Sequence, residues 1–322
     1  MRTLVTVAIP TLNAGRQFAR TLIAVAAQTV GRGVELLVCD SGSDDDTVVL
    51  ARAHGARVLE IRRSAFSHGG TRNLLMAEAG GEHVAFLTQD AVPSGTDWLE
   101  RLLAGFSLAP NVALVFGPYR PRADASPSVT RELTEWFQSF SPDGGPRVDA
   151  LSGAQRRGLT AREFLGHRGF FTDANGCIAR SAWEQVPFRE VGYAEDHLLA
   201  QDMLRAGFAK VYVPDAPVVH SHEYTALQWL RRSFDEARAV NDVYGLVPGG
   251  ELREAVRSLR GNVGADRRWL GDRVGDGSGE MLPALARSVG HHGARAVGTV
   301  LGANAARLPA SLGAKLSLEG RR

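Results

Sequence analysis

Two short apolar runs, each cut off by polar residues, constrain this chain more than any other feature. Val5-Thr6-Val7-Ala8-Ile9 stops at Pro10 and opens onto Thr11-Leu12-Asn13. Leu36-Leu37-Val38-Cys39 stops at Asp40 and opens onto Ser41-Gly42-Ser43-Asp44-Asp45-Asp46-Thr47. Runs this short and this apolar are expected as buried strands of a parallel sheet. Open α/β sheets bind ligands outside the carboxyl ends of their strands. Asn13 and Asp40 are therefore expected at the mouth of a nucleotide pocket.

The same alternation continues to about residue 120. Strands are expected near 4–9, 34–39, 58–61, 83–88 and 112–116, and helices near 15–28, 46–53, 68–79 and 96–107. Such βαβ units imply a mostly parallel sheet. Between 120 and 170 the pattern is broken by Pro121, Pro127, Pro142, Pro146 and Gly144-Gly145, with one amphipathic helix predicted from Val129 to Phe140. An insertion of this kind reads equally as a lid or acceptor loop and as disorder. Within it, Trp136, Phe137 and Phe140 could stack on an acceptor, although core packing is the commoner fate of a cluster at helical spacing. Order returns with strands near 174–179, 210–213 and 217–220 and helices near 181–185, 195–206, 224–244 and 250–270.

Composition narrows the class. A chain of 322 residues, 44% hydrophobic and 22% charged, suits a soluble globular protein with one large domain, or a domain and a tail. A net charge of +2 is too small to argue for nucleic acid. No run of 18 apolar residues exists, and Met1-Arg2-Thr3-Leu4 leads straight into a strand, which leaves no room for a signal peptide. Cys39 and Cys177 lack CxxC spacing and read as reduced core thiols of a cytoplasmic protein. From 281 the chain is rich in Ala, Gly, Leu and Arg. Between 284 and 322, Arg287, Arg295, Arg307, Lys315, Arg321 and Arg322 face only Glu319. With Leu308-Pro309-Ala310-Ser311-Leu312, this tail could rest on the inner face of an anionic membrane. Packing on the rest of the fold, or mediating a homodimer, is an equal reading.

Several residues carry chemistry beside a plainer role. Asp40 can accept bonds from a base or ribose, or Asp40 and Ser41 can merely cap the next helix. The glycine fingerprint of dehydrogenases is absent from Pro10-Thr11-Leu12-Asn13-Ala14-Gly15. Phe66-Ser67-His68-Gly69-Gly70-Thr71-Arg72-Asn73 opens a helix, where free N–H groups and Arg72 suit a phosphate, or simply form a cap. Asp90, at the end of Phe86-Leu87-Thr88-Gln89, can hold a divalent cation or turn the chain. His220 ends another apolar strand and could complete a metal shell, with His222 as second choice. Glu195 and Asp196 start a helix. They favour its dipole, or one of them deprotonates a hydroxyl.

Taken together, these segments resemble family 2 glycosyltransferases of the GT-A fold, over about residues 4–222. Val7 to Asn13 looks like the family's opening strand and nucleotide loop, and Val38 to Thr47 like its base- and ribose-binding segment. Phe66 to Asn73 resembles the rhamnosyltransferase-like branch. Thr88-Gln89-Asp90-Ala91 occupies the DxD position with one carboxylate missing. Glu195-Asp196 occupies the place of the acidic base motif, and Val219-His220 that of the late histidine ligand. The resemblance implies an α/β GT-A fold over 1–222, with a nucleotide-binding half (1–120) and an acceptor half (121–222), and a helical C-terminal extension over 223–322. It implies an inverting transfer from a nucleotide-diphosphate sugar in polysaccharide biosynthesis. The donor would be dTDP-L-rhamnose, with galactofuranosyl, mannosyl or glucosyl transfer from a UDP- or other nucleotide sugar as alternatives, and a non-catalytic nucleotide-sugar binding module as a remoter one. The acceptor would be a saccharide or a lipid-linked one. Asp196 would be the base, and Asp90 and His220 would hold Mg or Mn. Pro10, Thr11, Asn13, Asp40, Ser41, His68, Gly69, Arg72, Gln89, Asn175 and Glu195 would line the substrate site. The QxxRW signature is absent after Gln201-Asp202-Met203-Leu204-Arg205-Ala206, and no transmembrane bundle follows, which points to the addition of one sugar or a few.

Overall fold

The computed structural model describes residues 4–274 and 281–318. Arg321, Arg322 and Glu319 of the basic tail lie outside the described residues. The chain divides into two packed units. One comprises Met1–Arg122 and Trp136–His220, the other Ala123–Glu135 and Ser221–Arg322.

In chain order the first unit begins with β1 (Leu4–Thr11), α1 (Phe18–Ala26), β2 (Gly33–Asp40), α2 (Thr47–Ala53), β3 (Arg57–Glu60), α3 (His68–Glu78), β4 (His83–Leu87), β5 (Val92–Pro93), α4 (Trp98–Ala104), β6 (Val112–Phe116) and β7 (Tyr119–Arg120). Helix α5 (Pro127–Gln138), of which residues 127–135 belong to the second unit, follows, then β8 (Arg147–Asp149), α6 (Gly153–Gly158), β9 (Asn175–Ala179), α7 (Arg180–Trp183), α8 (Glu195–Ala206), β10 (Ala209–Tyr212) and β11 (Val218–Val219). The alternation expected up to residue 120 is observed, since its runs are too short and apolar to be anything but buried strands.

Eight strands form the main sheet in the order β3-β2-β1-β4-β9-β6-β10-β8. The chain runs outward from β1 through β2 and β3, then returns to the other side of β1 as β4. That reversal opens a crevice at the carboxyl ends of β1 and β4. Parallel register places Thr11 beside Asp40 at this edge. Two strands run against the rest: β9 is antiparallel to both β4 and β6, and β8 to β10. Because β9 is reversed, its first residues lie at the same edge as the ends of β4 and β6, with Asn175 opposite Leu87. A small second sheet, β5-β11-β7, stands beside it.

The core is built from Val7 and Ile9 of β1, Phe18 and Leu22 of α1, Trp98 and Leu102 of α4, Val115 of β6 and Val211 of β10. Each such side chain contributes about 1.5–3 kcal/mol on burial. The 136–170 segment is ordered by aromatic packing. Phe137 and Phe140 are buried, and Phe140 meets Phe116, Phe170 and Tyr212 at 5.1–5.6 Å between ring centroids.

The second unit adds α9 (Ala226–Tyr244), α10 (Leu252–Val274), α11 (Met281–Ala303) and α12 (Ala310–Leu316) to residues 123–135. Thr225 and Gln228 form a capping box at the start of α9, and Gly245 ends it at φ +65°. Gly298 and Gly302 explain the small-residue composition of α11. A Cβ at either would stand 2.2–2.3 Å from the carbonyl oxygens of Leu230 and Phe234, so helix α9 approaches where only glycine fits. Among the described residues, no helix is long and apolar enough to cross a membrane.

Candidate active site

The loops after β1 and β2 are laced together at the sheet edge. Thr11 Oγ1 donates to Asp40 Oδ2 at 3.0 Å, and the Asn13 amide donates to Ser43 Oγ at 2.8 Å. Asn13 Oδ1 in turn accepts from the Asp44 amide, and the Gly15 amide donates to Asp45 Oδ2. Asn13 adopts φ +46°, a conformation its short polar side chain tolerates. Asp40 is buried, and its carboxylate also accepts from the amides of Gly42 and Ser43 and from Ser43 Oγ. It thus shapes the loop that presents Ser41.

Gln89, beside the remaining carboxylate, holds the β1 loop from the other side. Its Oε1 accepts from the Leu12 amide at 2.9 Å and its Nε2 donates to the Leu12 carbonyl at 3.2 Å. A carboxylate has no N–H to donate, so it could make only the first of these bonds. The next residue, Asp90, is half-buried. Pairing of β11 with β5 sets Val219 opposite Val92, which carries His220 back to the Asp90 turn. His220 Nδ1 lies 3.5 Å from Asp90 Oδ1. Ligand atoms about 2.0–2.2 Å from a shared ion are separated by about 3.0–3.6 Å, depending on its geometry. The pair therefore fits a divalent cation. His222 belongs to the second unit.

Across the same edge, α3 and α8 bring charges together out of water. The Ser67 side chain caps α3 by accepting from the Gly70 amide. Gly69 allows α3 to touch the chain at Arg189, because a Cβ there would overlap that residue's carbonyl oxygen. One turn on, Arg72 places Nε 2.6 Å from Asp173 Oδ2 and Nη1 2.9 Å from Glu195 Oε1, all three side chains being buried. His68 Nδ1 lies 3.9 Å from the same Glu195 oxygen. Asp196 follows on α8, with Oδ1 accepting from the His197 amide at 2.8 Å. Ala194, which begins this helix, is held at φ +62°. A left-handed alanine is strained, and such strain concentrates where side-chain placement matters.

Burial raises the pKa of Asp196, and Glu195 adds to this against His197 and Arg72. Burial pushes Asp173 well above the usual range, opposed by Arg72 and reinforced by Asp196 and Glu195. One guanidinium cannot balance three carboxylates, so at least one carboxyl holds a proton at higher pH than usual. Tyr119 ties this cluster to the cation pair. Burial raises its phenol, and Asp196, Asp173 and Asp90 all raise it further. Its hydroxyl bonds to Thr172 Oγ1, and its ring meets His220 edge-on at 5.0 Å. The charges of Asp90, Asp173 and Asp196 thus all act on the tyrosine whose ring touches His220.

The expected residues divide by this geometry. Thr11, Asn13, Asp40 and Ser41 form one loop pair, with Pro10 in β1 behind it. His68, Arg72 and Glu195 form the charged cluster, packed at Gly69. Asn175 is a correction. It is 0% exposed, and every polar atom of its side chain is engaged by protein: Oδ1 accepts from Trp98 Nε1, and Nδ2 donates to the carbonyls of Pro118 and Ala216. It struts the sheet edge and has nothing left for a substrate. Asp173 and Tyr119 went unrecognised in the sequence. Their polar character was visible, but Asp173 reaches the site only because β9 is reversed.

Comparison with known proteins gives one consistent result. The profile of glycosyl transferase family 2 matches residues 6–161. The chain is 33% identical over 236 residues to the O-antigen chain rhamnosyltransferase RfbN of Salmonella typhimurium, covering 72% of this chain and 70% of that one. It is 31% identical to the O-antigen chain rhamnosyltransferase WbaN of Salmonella anatum, covering 71% and 70%. Among solved structures, the fold is similar to that of a mannosyltransferase from Pyrobaculum calidifontis, with TM-score 0.58, 18% identity and coverage of 94% and 87%. It is also similar to the glucosyl-3-phosphoglycerate synthase of Mycobacterium tuberculosis, with TM-score 0.50, 21% identity and coverage of 76% and 81%.

Proposed function

The chain belongs to glycosyl transferase family 2 and is a glycosyltransferase, and on that premise we propose that it moves L-rhamnose from dTDP-L-rhamnose, with inversion, to a hydroxyl of a saccharide or lipid-linked acceptor. The pairing of Asp90 with His220 against Tyr119, whose phenol also feels the charge of Asp196, carries this reading. The rhamnosyl donor is supported by the Salmonella relatives, both of which are rhamnosyltransferases of O-antigen chains.

Asp196 is the general base. An acceptor hydroxyl is a weak nucleophile until it loses its proton in the transition state. Asp196 takes that proton while the oxygen bonds to the anomeric carbon and the bond to the diphosphate oxygen breaks on the opposite face. The raised pKa of Asp196 strengthens it as a base while leaving it ionised above that value. Arg72 positions Glu195, and through it the start of α8, from which Asp196 projects. The loops after β1 and β2, with Asn13 at their mouth, hold the nucleoside, and Asp40, whose oxygens already accept four hydrogen bonds, sets the shape of those loops. A Mg or Mn ion held by Asp90 and His220 would neutralise charge on the leaving diphosphate. The Pyrobaculum enzyme, of similar fold, binds GDP-mannose with Mn2+, so the scaffold accommodates such a pair.

The test pairs donor choice with Asp196. Incubation with dTDP-rhamnose, UDP-galactofuranose, GDP-mannose or UDP-glucose should show acceptor-dependent nucleotide release with the first. Asp196→Asn should lower turnover by about 10²–10⁴-fold while donor affinity is kept. Wild-type activity should fall on acidification at a pH above the ordinary carboxylate range, as Asp196 takes up its proton. Near-normal turnover in Asp196→Asn would reject the base, and release only with another sugar would reject the donor.

A further inference from the structure

The helical unit holds a second cluster of metal-ligating side chains, independent of the transfer reaction. Glu132 on α5 and His291 and His292 on α11 offer one carboxylate and two imidazoles whose ligand atoms lie within 4.8 Å of one another. His291 Nε2 is 3.2 Å from Glu132 Oε2, and His292 Nδ1 is 3.7 Å from Glu132 Oε1. Around a tetrahedral ion with ligands at about 2.0–2.2 Å, neighbouring ligand atoms stand about 3.3–3.6 Å apart. Both pairs fall close to that spacing.

Behind His292 stands the support such a ligand needs. Its Nε2 lies 2.8 Å from Asp266 Oδ2, so an N–H donated there leaves Nδ1 as a lone pair on the Glu132 side. Asp266 is 1% exposed and is fixed by Ser128 Oγ, Ser288 Oγ and Arg131 Nε at 2.5–2.6 Å. A buried carboxylate that orients a histidine in this way is the usual outer partner of a ligating imidazole.

Arg295 marks where positive charge sits. Its Nη1 alone lies 2.5 and 2.6 Å from the two Glu132 oxygens and 3.4 Å from His291 Nε2. Arginine pairs most strongly with a carboxylate through two parallel N–H bonds. Here a single nitrogen makes both contacts, as a point cation would. The Arg295 side chain is 34% exposed, so it can withdraw into solvent.

We infer that Glu132, His291 and His292 form a binding site for a divalent transition-metal ion of the zinc type, with Asp266 as its outer carboxylate and Arg295 as a competing cation. Imidazole with carboxylate suits zinc, cobalt or nickel better than magnesium. Bound there, the ion would tie α5 and α11 together, and through Asp266 also α10.

The test uses the full chain, stripped with a chelator and carrying Asp90→Ala so that the first candidate centre is disabled. Cobalt(II) is titrated by visible absorption and zinc by calorimetry. One equivalent should bind, with tetrahedral cobalt bands. Arg295→Ala should tighten binding about tenfold or more, and this variant removes a surface arm without emptying the core. His291→Ala and Glu132→Gln should each weaken binding about 100-fold or more, and Asp266→Asn about 10–100-fold, in line with outer-partner losses. Circular dichroism identifies any variant that fails to fold, and Arg295→Ala then decides alone. No cobalt spectrum in either the parent or Arg295→Ala, or unchanged affinity in a folded His291→Ala, overturns the site.

Discussion

Arg72→Gln tests the charge balance beneath the base most directly. Arg72 meets Asp173 at 2.6 Å and Glu195 at 2.9 Å, with all three side chains buried. Each contact is worth about 6 kcal/mol of gross attraction at an effective dielectric of 20. Desolvation cancels much of this, and removing one partner of such a buried set costs about 3–5 kcal/mol. For a unit of roughly 200 residues, that is a fall in Tm of about 6–15 °C. The loss must depend on pH. Without the guanidinium, which opposes the upward shift of Asp173, that carboxyl holds its proton to still higher pH, where the unfolded chain has already released it. A carboxyl whose folded pKa is raised supports the fold at low pH and withdraws that support as pH rises. Each additional proton held by the folded variant widens its deficit by about 1.4 kcal/mol per pH unit. Thermal melts of both proteins between pH 5.5 and 8 should show a gap that grows with pH. A constant gap, or no gap at pH 8, would refute this account of Arg72.

Two further predictions concern the scaffold. Ala194→Gly relieves the left-handed strain at φ +62° and should stabilise the protein by about 0.5–1 kcal/mol in urea titrations; destabilisation would show that the residue is not strained. Asn175→Ala leaves Trp98 Nε1 and the Ala216 carbonyl without partners, while the Pro118 carbonyl keeps the Val218 amide, and should cost at least about 2 kcal/mol by the same measurement; wild-type stability would mean that another group satisfies them.

The first half of the fold was readable because its signals are local. Val5 to Ile9 and Leu36 to Cys39 are apolar over a strand's length, and each gives way to polar residues at the sheet edge. The reversal of β9 was not readable, because an apolar run such as Gly176-Cys177-Ile178-Ala179 has no intrinsic direction. That hid Asp173 and made Asn175 look like a substrate contact. The isolated strand β8 pairs over three residues amid prolines and glycines, too few to show alternation. Arg72 illustrates a different limit. An arginine in the first turns of a helix suits a phosphate, yet its partners here lie about 100 and 120 residues further along the chain. Gln89 was expected to line the substrate site, and its two bonds to Leu12 show that its amide holds the β1 loop.

The central position of β9 bears on how the protein is made. Strands β4 and β6 leave the ribosome early but are not neighbours; each waits for Asn175–Ala179 to slot between them. Until about half the polypeptide has emerged, the nascent sheet carries two open hydrogen-bonding rims flanking a gap one strand wide. Such rims invite pairing with other chains. Arrest peptides placed after residue 120 and after residue 200 should thus release nascent chains of sharply different protease resistance.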